Sequence, residues 1–223
     1  MMDTQKKFRG VIFDFNGTLF WDTKLHNRSW DIFLSKKNMI PLSDEEKMRK
    51  IHGKNSEAIF NMLFNKVLTK EQIREFVYEK ESIYQGLCLE SKLTLASGAI
   101  EFFEFLKSAG INYTIATASE QYNVNFFIKL LKLDKWFDLD KIVYDDGTLK
   151  GKPDPQVFLK AMQKINRNPD EVIIFEDSVA GIAAAQNAKA GKVIIVNSIN
   201  DDYSAYPHEV ITDFSQVNRS LFQ

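Results

Sequence analysis

The chain has 223 residues, of which 44% are hydrophobic and 26% charged, and its net charge is −1. This composition is typical of a globular protein and excludes a disordered chain, while the mixed charges offer no basic surface for nucleic acid or an anionic membrane. The single cysteine, Cys88, excludes a disulfide within the chain, and we expect a packed thiol in a reducing cytoplasm. Residues 1–10 are polar and lack the apolar run of a signal peptide, and no later run is long enough for a membrane span.

The first predicted element is a strand formed by the apolar residues 11–13, which ends at Asp14. Open α/β sheets place ligands at this end of their strands, and a carboxylate there can act as a nucleophile that forms a covalent phospho-intermediate. Gly17 and Thr18 predict a sharp turn whose backbone N–H groups face an anion. A strand that ends in this way also occurs in unrelated folds, so the segment does not decide the function alone.

Residues 22–93 contain no predicted strand, and we call them the helical insertion. Ser43 with Glu46, and Thr69 with Gln72, have the spacing of capping boxes, which mark helix N-termini. Apolar residues follow the second box at roughly helical spacing. The sequence therefore predicts a bundle of helices here.

From residue 95 onward, predicted helices and strands alternate. The predicted strands are 113–116, 141–144, 172–175 and 192–196, and the predicted helices are 100–107, 123–131, 155–165 and 180–188. This alternation indicates an α/β fold, a Rossmann-like parallel sheet with helices on both faces. We expect a core domain of residues 1–21 and 94–223, interrupted by a helical domain of residues 22–93 that covers the ligand edge as a lid.

Three later segments place polar side chains at or just beyond strand ends. Thr117 offers a hydroxyl after the second strand, and Lys152 adds a positive charge before a proline-bounded helix N-terminus that already favours anions. Glu176 and Asp177 end another strand, and together with the first aspartate they repel one another unless a hard cation binds them. Each segment alone has an ordinary explanation, a helix cap or a solvated lysine. Their order along successive strands makes a shared site the better interpretation.

This order of motifs, with a helical insertion after the first, resembles the haloacid dehalogenase-like hydrolase superfamily. Residues 151–155, Gly-Lys-Pro-Asp-Pro, and residues 175–181, Phe-Glu-Asp-Ser-Val-Ala-Gly, are close to the family's patterns letter for letter. More narrowly, the chain looks like the branch with a small helical cap that includes beta-phosphoglucomutase and phosphoglycolate phosphatase. The resemblance extends over residues 11–214.

The resemblance implies a Mg²⁺-dependent phosphatase that acts on a small phosphorylated metabolite, such as a sugar phosphate. It implies that Asp14 attacks phosphorus and forms an aspartyl-phosphate, while Thr117 and Lys152 hold the transferring phosphoryl group. The implied metal ligands are Asp14, the backbone carbonyl of Asn16, Glu176 and Asp177. The further candidate substrate-binding residues are Gly17, Thr18, His26, Lys54 and Ala118. We expect a monomer or weak dimer, with neither nucleic acid nor membrane as a partner.

Asn16 departs from the family pattern, because the phosphatases and mutases usually carry a second aspartate there. That aspartate protonates the leaving oxygen and activates the hydrolytic water, and an amide does neither at neutral pH. The loss lowers turnover by about a hundredfold to ten-thousandfold unless something compensates. A good leaving group, a proton from another residue such as His26, or deamidation of Asn16 before Gly17 would compensate. Otherwise the chain is a catalytically impaired protein that binds a phosphate ligand and acts as a binder or regulator.

Three other activities are weighed against the phosphatase. A phosphonatase-like C–P hydrolase tolerates loss of the second aspartate but needs a lysine for a Schiff base, and Lys54 is the candidate. A mutase is disfavoured, because Ser56 stands where the resemblance leads one to expect a cap arginine. Dehalogenation is disfavoured, because it does not need the metal site predicted at Glu176 and Asp177.

Overall fold

The structure is a computed structural model that describes residues 8–223. The expectation of a polar N-terminus without a signal peptide concerns residues 1–10, of which 1–7 lie outside the described residues. Among the helices of residues 8–223, none has both the length and the apolar character that a membrane crossing requires.

Residues 10–13 and the chain from residue 95 onward form a parallel sheet with four α-helices packed over it. The strands are β1 (Gly10–Phe13), β2 (Asn112–Glu120), β3 (Val143–Asp145), β4 (Val172–Glu176), β5 (Lys192–Val196) and β6 (Glu209–Ile211). Their order across the sheet is β3-β2-β1-β4-β5-β6, and each neighbouring pair is parallel. The predicted α/β, Rossmann-like fold class is confirmed.

Helices cover both faces of the sheet. Successive side chains of a strand point to opposite faces, so each central strand contributes side chains to an apolar core on either side. Phe13 of β1 belongs to the core on one face, together with side chains of Ala99–Ser108 and Gln121–Leu131. Ile12 belongs to the core on the other face, together with side chains of Gln156–Lys164 and Val179–Asn187. Residues 11–13 of β1 and 172–175 of β4 are therefore continuous apolar runs, as is typical of a parallel sheet buried on both faces.

The helical insertion contains four helices, and it leaves the sheet after β1. They are α1 (Thr23–Lys36), α2 (Asp44–Lys50), α3 (Ser56–Phe64) and α4 (Lys70–Ser91); the helices over the sheet are α5 (Ala99–Ser108), α6 (Gln121–Leu131), α7 (Gln156–Lys164) and α8 (Val179–Asn187). Both predicted capping boxes are present, at Ser43 before α2 and at Thr69 before α4. A separate apolar cluster, which includes Trp30, Phe33 and Phe60, packs α1 and α3 together. The domain boundaries at residues 22–93 stay a prediction.

Three strands differ from the sequence prediction. The predicted strand 141–144 is β3, which begins at Val143 because residues 139–141 form a 3-10 helix. β2 continues to Glu120, past the predicted end at Ala116, and its register against β3 shifts between these two residues. Thr117 therefore lies within the strand and caps no helix, since the N-cap of α6 is Glu120. The edge strand β6 was not predicted, because it has only three residues and its Val210 is 41% exposed, so it forms no apolar run.

Candidate active site

The central strands bring the predicted residues to one edge of the sheet. β1 lies between β2 and β4, and Phe13 is in register with both Ile115 and Phe175. The residues that follow these three positions, which include Asp14 and Glu176, therefore emerge side by side at the carboxyl edge. This is the edge at which open α/β sheets bind ligands.

Three buried carboxyl groups and one buried ammonium group form the centre of the site. Asp14, Glu176 and Asp177 offer oxygen atoms that all lie within 4.8 Å of one another. The Lys152 Nζ donates to Asp14 Oδ1 at 2.5 Å and also to Glu176 Oε1. Three carboxylates and one cation leave an excess of negative charge in a buried place, and clustered hard oxygen donors suit a divalent cation such as Mg²⁺ or Ca²⁺. This acidic cluster fits a metal ion.

Burial and mutual repulsion change the protonation of these groups. Burial raises the pKa of Asp14 to about 7, in spite of the opposing effect of Lys152. Burial and the charges of Glu176 and Asp14 raise the pKa of Asp177 well above its usual range. The two carboxylates bound to Lys152 raise its pKa, although burial opposes them. Burial and repulsion therefore favour the protonated forms of Asp14 and Asp177, whereas a bound cation would favour their ionised forms.

The loop after β1 approaches the cluster closely. Gly17 has a φ of +82°, and a Cβ atom there would lie 2.0 Å from Asp177 Oδ2. The Thr18 hydroxyl donates to Asp177 Oδ1 at 3.1 Å. On the opposite side, a Cβ atom at Gly181 would lie 1.7 Å from Glu176 Oε1. Glycine at both positions thus allows backbone to pack directly against the carboxylates.

Both polar atoms of the Asn16 side chain form hydrogen bonds. Its Nδ2 donates to Asp22 Oδ2 at 2.7 Å and to Tyr84 Oη at 3.3 Å, and its Oδ1 accepts from Ser119 Oγ at 2.8 Å. Asp22 is completely buried and also accepts from the Gly17 N–H at 3.0 Å. Asn16 therefore connects the loop after β1 to both β2 and the helical insertion.

A cavity lies between the carboxyl edge and the helical insertion, and most of the predicted substrate-binding residues border it. Its lining includes Asp14, Asn16, His26, Lys54, Thr117 and Ala118. Lys54 is half-buried there, while Gly17 and Thr18 lie behind the lining, beside Asp177. Lys152 lies beneath the lining, against Asp14. The structure thus brings the predicted residues together around one cavity and the carboxyl cluster beneath it.

His26 lies between two charged residues of the cavity wall. Its Nδ1 lies 3.0 Å from Lys80 Nζ, its Nε2 lies 3.4 Å from Asp22 Oδ2, and its ring stacks on Tyr84. Burial and the charge of Lys80 lower its pKa well below the usual value. The imidazole is therefore neutral at physiological pH, which does not favour it as a proton donor to a leaving group.

The sequence analysis did not identify several residues of the cavity wall. Among them, Lys80 on α4 has the clearest sequence pattern that could have indicated its position. Its side chain is 2% exposed and pairs with Glu81 at 2.9 Å, over the ring of Trp30. It occupies a position of the apolar stripe of α4 between Val77 and Tyr84, and a lysine in such a position marks a buried charge.

Protonation of His52, in the helical insertion, makes the free energy of unfolding depend on pH. Its Nε2 lies 2.9 Å from Asn27 Oδ1, and burial together with the charges of Lys80 and Lys47 lowers its pKa to about 4. Between pH 4 and the unfolded value near 6.5, the unfolded chain binds the proton and the folded chain does not. Stability contributed by this group is therefore lost as the pH falls through this window.

We expect His52→Gln to flatten the dependence of the free energy of unfolding on pH between pH 4 and 6.5. The contribution of one such group is at most about 1.4 kcal/mol per pH unit. Urea denaturation at a series of pH values measures it. His208, which is half-buried, provides the matched control His208→Gln with a smaller change. Parallel curves for wild type and His52→Gln would contradict the prediction.

The sequence matches one known protein family over most of its length. The sequence model described as "Haloacid dehalogenase-like hydrolase" matches residues 11–196. A phosphorylated carbohydrates phosphatase of Thermotoga maritima is 30% identical over 162 residues, which cover 70% of this chain and 72% of that protein. A beta-phosphoglucomutase of Mycobacterium bovis is 22% identical over 220 residues, covering 87% and 82% of the two chains.

A solved structure shows the same architecture. The crystal structure of a HAD hydrolase, family IA, variant 3 from Entamoeba histolytica superposes with a TM-score of 0.86 at 34% identity, covering 96% of this chain and 97% of that one. The matched residues 11–196 include the strand ends that carry the carboxyl cluster and Lys152. The chain therefore belongs to the haloacid dehalogenase-like hydrolases.

Proposed function

We propose that this chain is a Mg²⁺-dependent phosphatase that hydrolyses the monoester of a small phosphorylated metabolite. The observation that carries the proposal is the buried cluster of Asp14, Glu176 and Asp177 with Lys152 hydrogen bonded to the first two, at the floor of a cavity. A carboxylate next to a fixed ammonium group and a cation site is the arrangement that phosphoryl transfer needs, because positioning and charge neutralisation supply most of its catalysis.

Asp14 is the proposed nucleophile. One of its carboxylate oxygens attacks phosphorus, the bond between phosphorus and the ester oxygen breaks, and the leaving oxygen takes a proton from water. Water then attacks the aspartyl-phosphate, so that inorganic phosphate leaves and the Asp14 carboxylate is regenerated. The net reaction consumes one ester and one water and yields one alcohol and one phosphate. Asp14 and Thr117 both border the cavity, which supports the proposal that the Thr117 side chain holds a phosphoryl oxygen.

Mg²⁺ is the proposed cation, held by the carboxylates of Asp14, Glu176 and Asp177 and by the backbone carbonyl of Asn16. When bound, it neutralises charge on the phosphoryl oxygens. Lys152 restrains Asp14 and adds a fixed positive charge beside it. Glu176 is itself oriented by the backbone N–H groups of Asp177 and Ser178, which donate to its Oε2 at 2.8 and 2.7 Å.

The substrate class follows from the cavity and the relatives. Trp30, Ile59 and Phe60 form an apolar wall, while Lys54 and His52 supply polar groups on the side of the helical insertion. A cavity of mixed character suits a small polar metabolite with some apolar surface. The relative from Thermotoga maritima is named for phosphorylated carbohydrates, and we propose the same substrate class for this chain.

The direct test is release of phosphate from a panel of esters with Mg²⁺ and with a chelator. The panel contains sugar phosphates, phosphoglycolate, nucleotides, acetyl phosphate and p-nitrophenyl phosphate. We expect Mg²⁺-dependent release and, after acid quenching, a phosphorylated peptide that contains Asp14. A protein that binds phosphate esters with Mg²⁺ but releases no phosphate from any of them would instead be a binding protein.

The contact between Gly17 and Asp177 gives a prediction about the cation. We expect Gly17→Ala to weaken Mg²⁺ binding by about 10- to 100-fold, because the added Cβ displaces the Asp177 carboxylate. Isothermal titration with Mg²⁺ measures the affinity. Gly147 has nearly the same φ, +81°, with open space at its Cβ, so Gly147→Ala imposes the same backbone strain and should leave the affinity unchanged. Equal affinities for the two variants would show that Asp177 does not hold the cation.

A further inference from the structure

Asp22 is a buried carboxyl group for which the proposed reaction gives no role. It is completely buried at the point where the chain enters the helical insertion. Four groups face it: the backbone N–H of Gly17, the amide of Asn16, the hydroxyl of Tyr84 and the imidazole of His26. No lysine or arginine is among these four, so hydrogen-bond donors alone satisfy the carboxylate.

Asp22 determines which way the Asn16 amide faces. An ionised carboxylate only accepts hydrogen bonds, so the NH₂ group of Asn16 must face Asp22 Oδ2, 2.7 Å away. The Tyr84 hydroxyl donates its proton to Asp22 and accepts the second N–H of the amide at 3.3 Å. Both hydrogens of the amide are thus used on the buried side.

The amide oxygen is then left for the cavity. It accepts from the Ser119 hydroxyl at 2.8 Å, and both Asn16 and Ser119 border the cavity above Asp14. A carbonyl oxygen has two lone pairs, so one remains for a hydrogen bond with a ligand. A substrate hydroxyl or the hydrolytic water can donate a hydrogen bond to it. The amide cannot, however, take up the proton as a general base would.

The same contact disfavours an aspartate at position 16. A carboxylate there would lie against the Asp22 carboxylate in a buried place, where like charges repel strongly. The carboxylate at position 22 and the amide at position 16 are therefore complementary, since exchange of either residue alone removes the charged acceptor or the donor of this hydrogen bond.

We propose that Asp22 is a positioning residue that fixes Asn16 with its amide oxygen toward the cavity, where it orients a substrate hydroxyl or the attacking water by accepting a hydrogen bond. The proposal rests on the proposed phosphatase function. Tyr84 belongs to α4, so the orientation of Asn16 also depends on the docking of the helical insertion.

A cycle of four proteins tests the pairing: wild type, Asn16→Asp, Asp22→Asn and the variant with both changes. Hydrolysis of p-nitrophenyl phosphate, which has a good leaving group, is compared with hydrolysis of glycerol phosphate, which has a poor one. We expect Asn16→Asp alone to gain little on glycerol phosphate. The double variant reverses the hydrogen bond between the two positions, restores an acid toward the cavity and should gain about 100-fold or more on that ester.

The ratio of the two rates separates positioning from a loss of fold. In the double variant we expect the preference for p-nitrophenyl phosphate to fall, and in Asp22→Asn alone we expect a lower kcat for both esters with KM nearly unchanged. If Asn16→Asp alone gives the full gain and Asp22→Asn adds nothing to it, the pairing is wrong.

A second readout does not depend on turnover. At neutral pH, we expect Asn16→Asp to lower the melting temperature and the added Asp22→Asn to restore it, since the carboxylates then no longer face each other. Additive melting temperatures across the four proteins would overturn the pairing even if no ester is hydrolysed. Absence of hydrolysis in wild type, with non-additive melting temperatures, would overturn the phosphatase function and the role in catalysis while keeping the pairing.

Discussion

Replacement of Asp14 with asparagine is expected to lower kcat by on the order of 10⁴- to 10⁶-fold, for the most reactive ester as well as for sugar phosphates. The amide has nearly the shape of the carboxylate, and its oxygen can still accept the hydrogen bond that Lys152 donates to Asp14 Oδ1 at 2.5 Å. The side chain would therefore stay in place but cannot attack phosphorus. Phosphate release and the amount of acid-trapped phosphoenzyme measure the loss.

A matched variant controls for the removal of a negative charge near the same edge. Asp146 follows β3 in an exposed loop outside the cavity, and its carboxylate accepts from Thr148. Asp146→Asn should leave kcat within about twofold, as expected for a surface position. If Asp14→Asn keeps more than a tenth of the wild-type rate, another group forms the phosphoenzyme and Asp14 is not the nucleophile.

The sheet could be predicted from the sequence because its central strands are buried on both faces. Residues 11–13 and 172–175 are continuous apolar runs, and each stops at a carboxylate that the structure places at the carboxyl edge. When an apolar run ends at a carboxylate, the sequence itself shows which side chain lies at the carboxyl edge of the sheet. The meeting of Asp14 with Glu176 then follows from the pairing of β1 with β4.

The wall of the cavity could not be predicted in the same way. Asp22 meets Tyr84 across 62 positions of the chain, and Lys80 meets His26 across 54. Both contacts depend on how α1 packs against α4, which hydrophobic spacing does not determine. The aspartate at position 22 has no signal of its own, since it directly precedes a predicted helix and such residues are ordinary helix caps. In the structure its side chain caps nothing and instead faces Asn16.

The other large effect is expected for Lys152, whose side chain is 1% exposed between Asp14 and Glu176. Lys152→Met fills the same space without the charge and leaves two buried carboxylates with no cation. Breaking a buried ion pair in this way costs about 3–5 kcal/mol of unfolding free energy, and removing a charge that stabilises the transferring group lowers kcat by about 10²- to 10³-fold. Urea denaturation and phosphate release measure the two losses.

The pH dependence distinguishes this electrostatic loss from poor packing. Without Lys152, the pKa of Asp14 loses the positive charge that opposes the effect of burial, so it rises above its wild-type value of about 7. Above pH 7, the folded variant then keeps a proton that folded wild type and the unfolded chain both release. The free energy of unfolding of Lys152→Met should therefore fall further below that of wild type as the pH rises above 7, and added Mg²⁺ should recover part of it. Lys160, which is 38% exposed and 4.0 Å from Asp146, provides the control Lys160→Met with a change below about 0.5 kcal/mol. A loss for Lys152→Met that is equal at all pH values and unaffected by Mg²⁺ would show that methionine packs badly, and that the charge of Lys152 does not hold the cluster together.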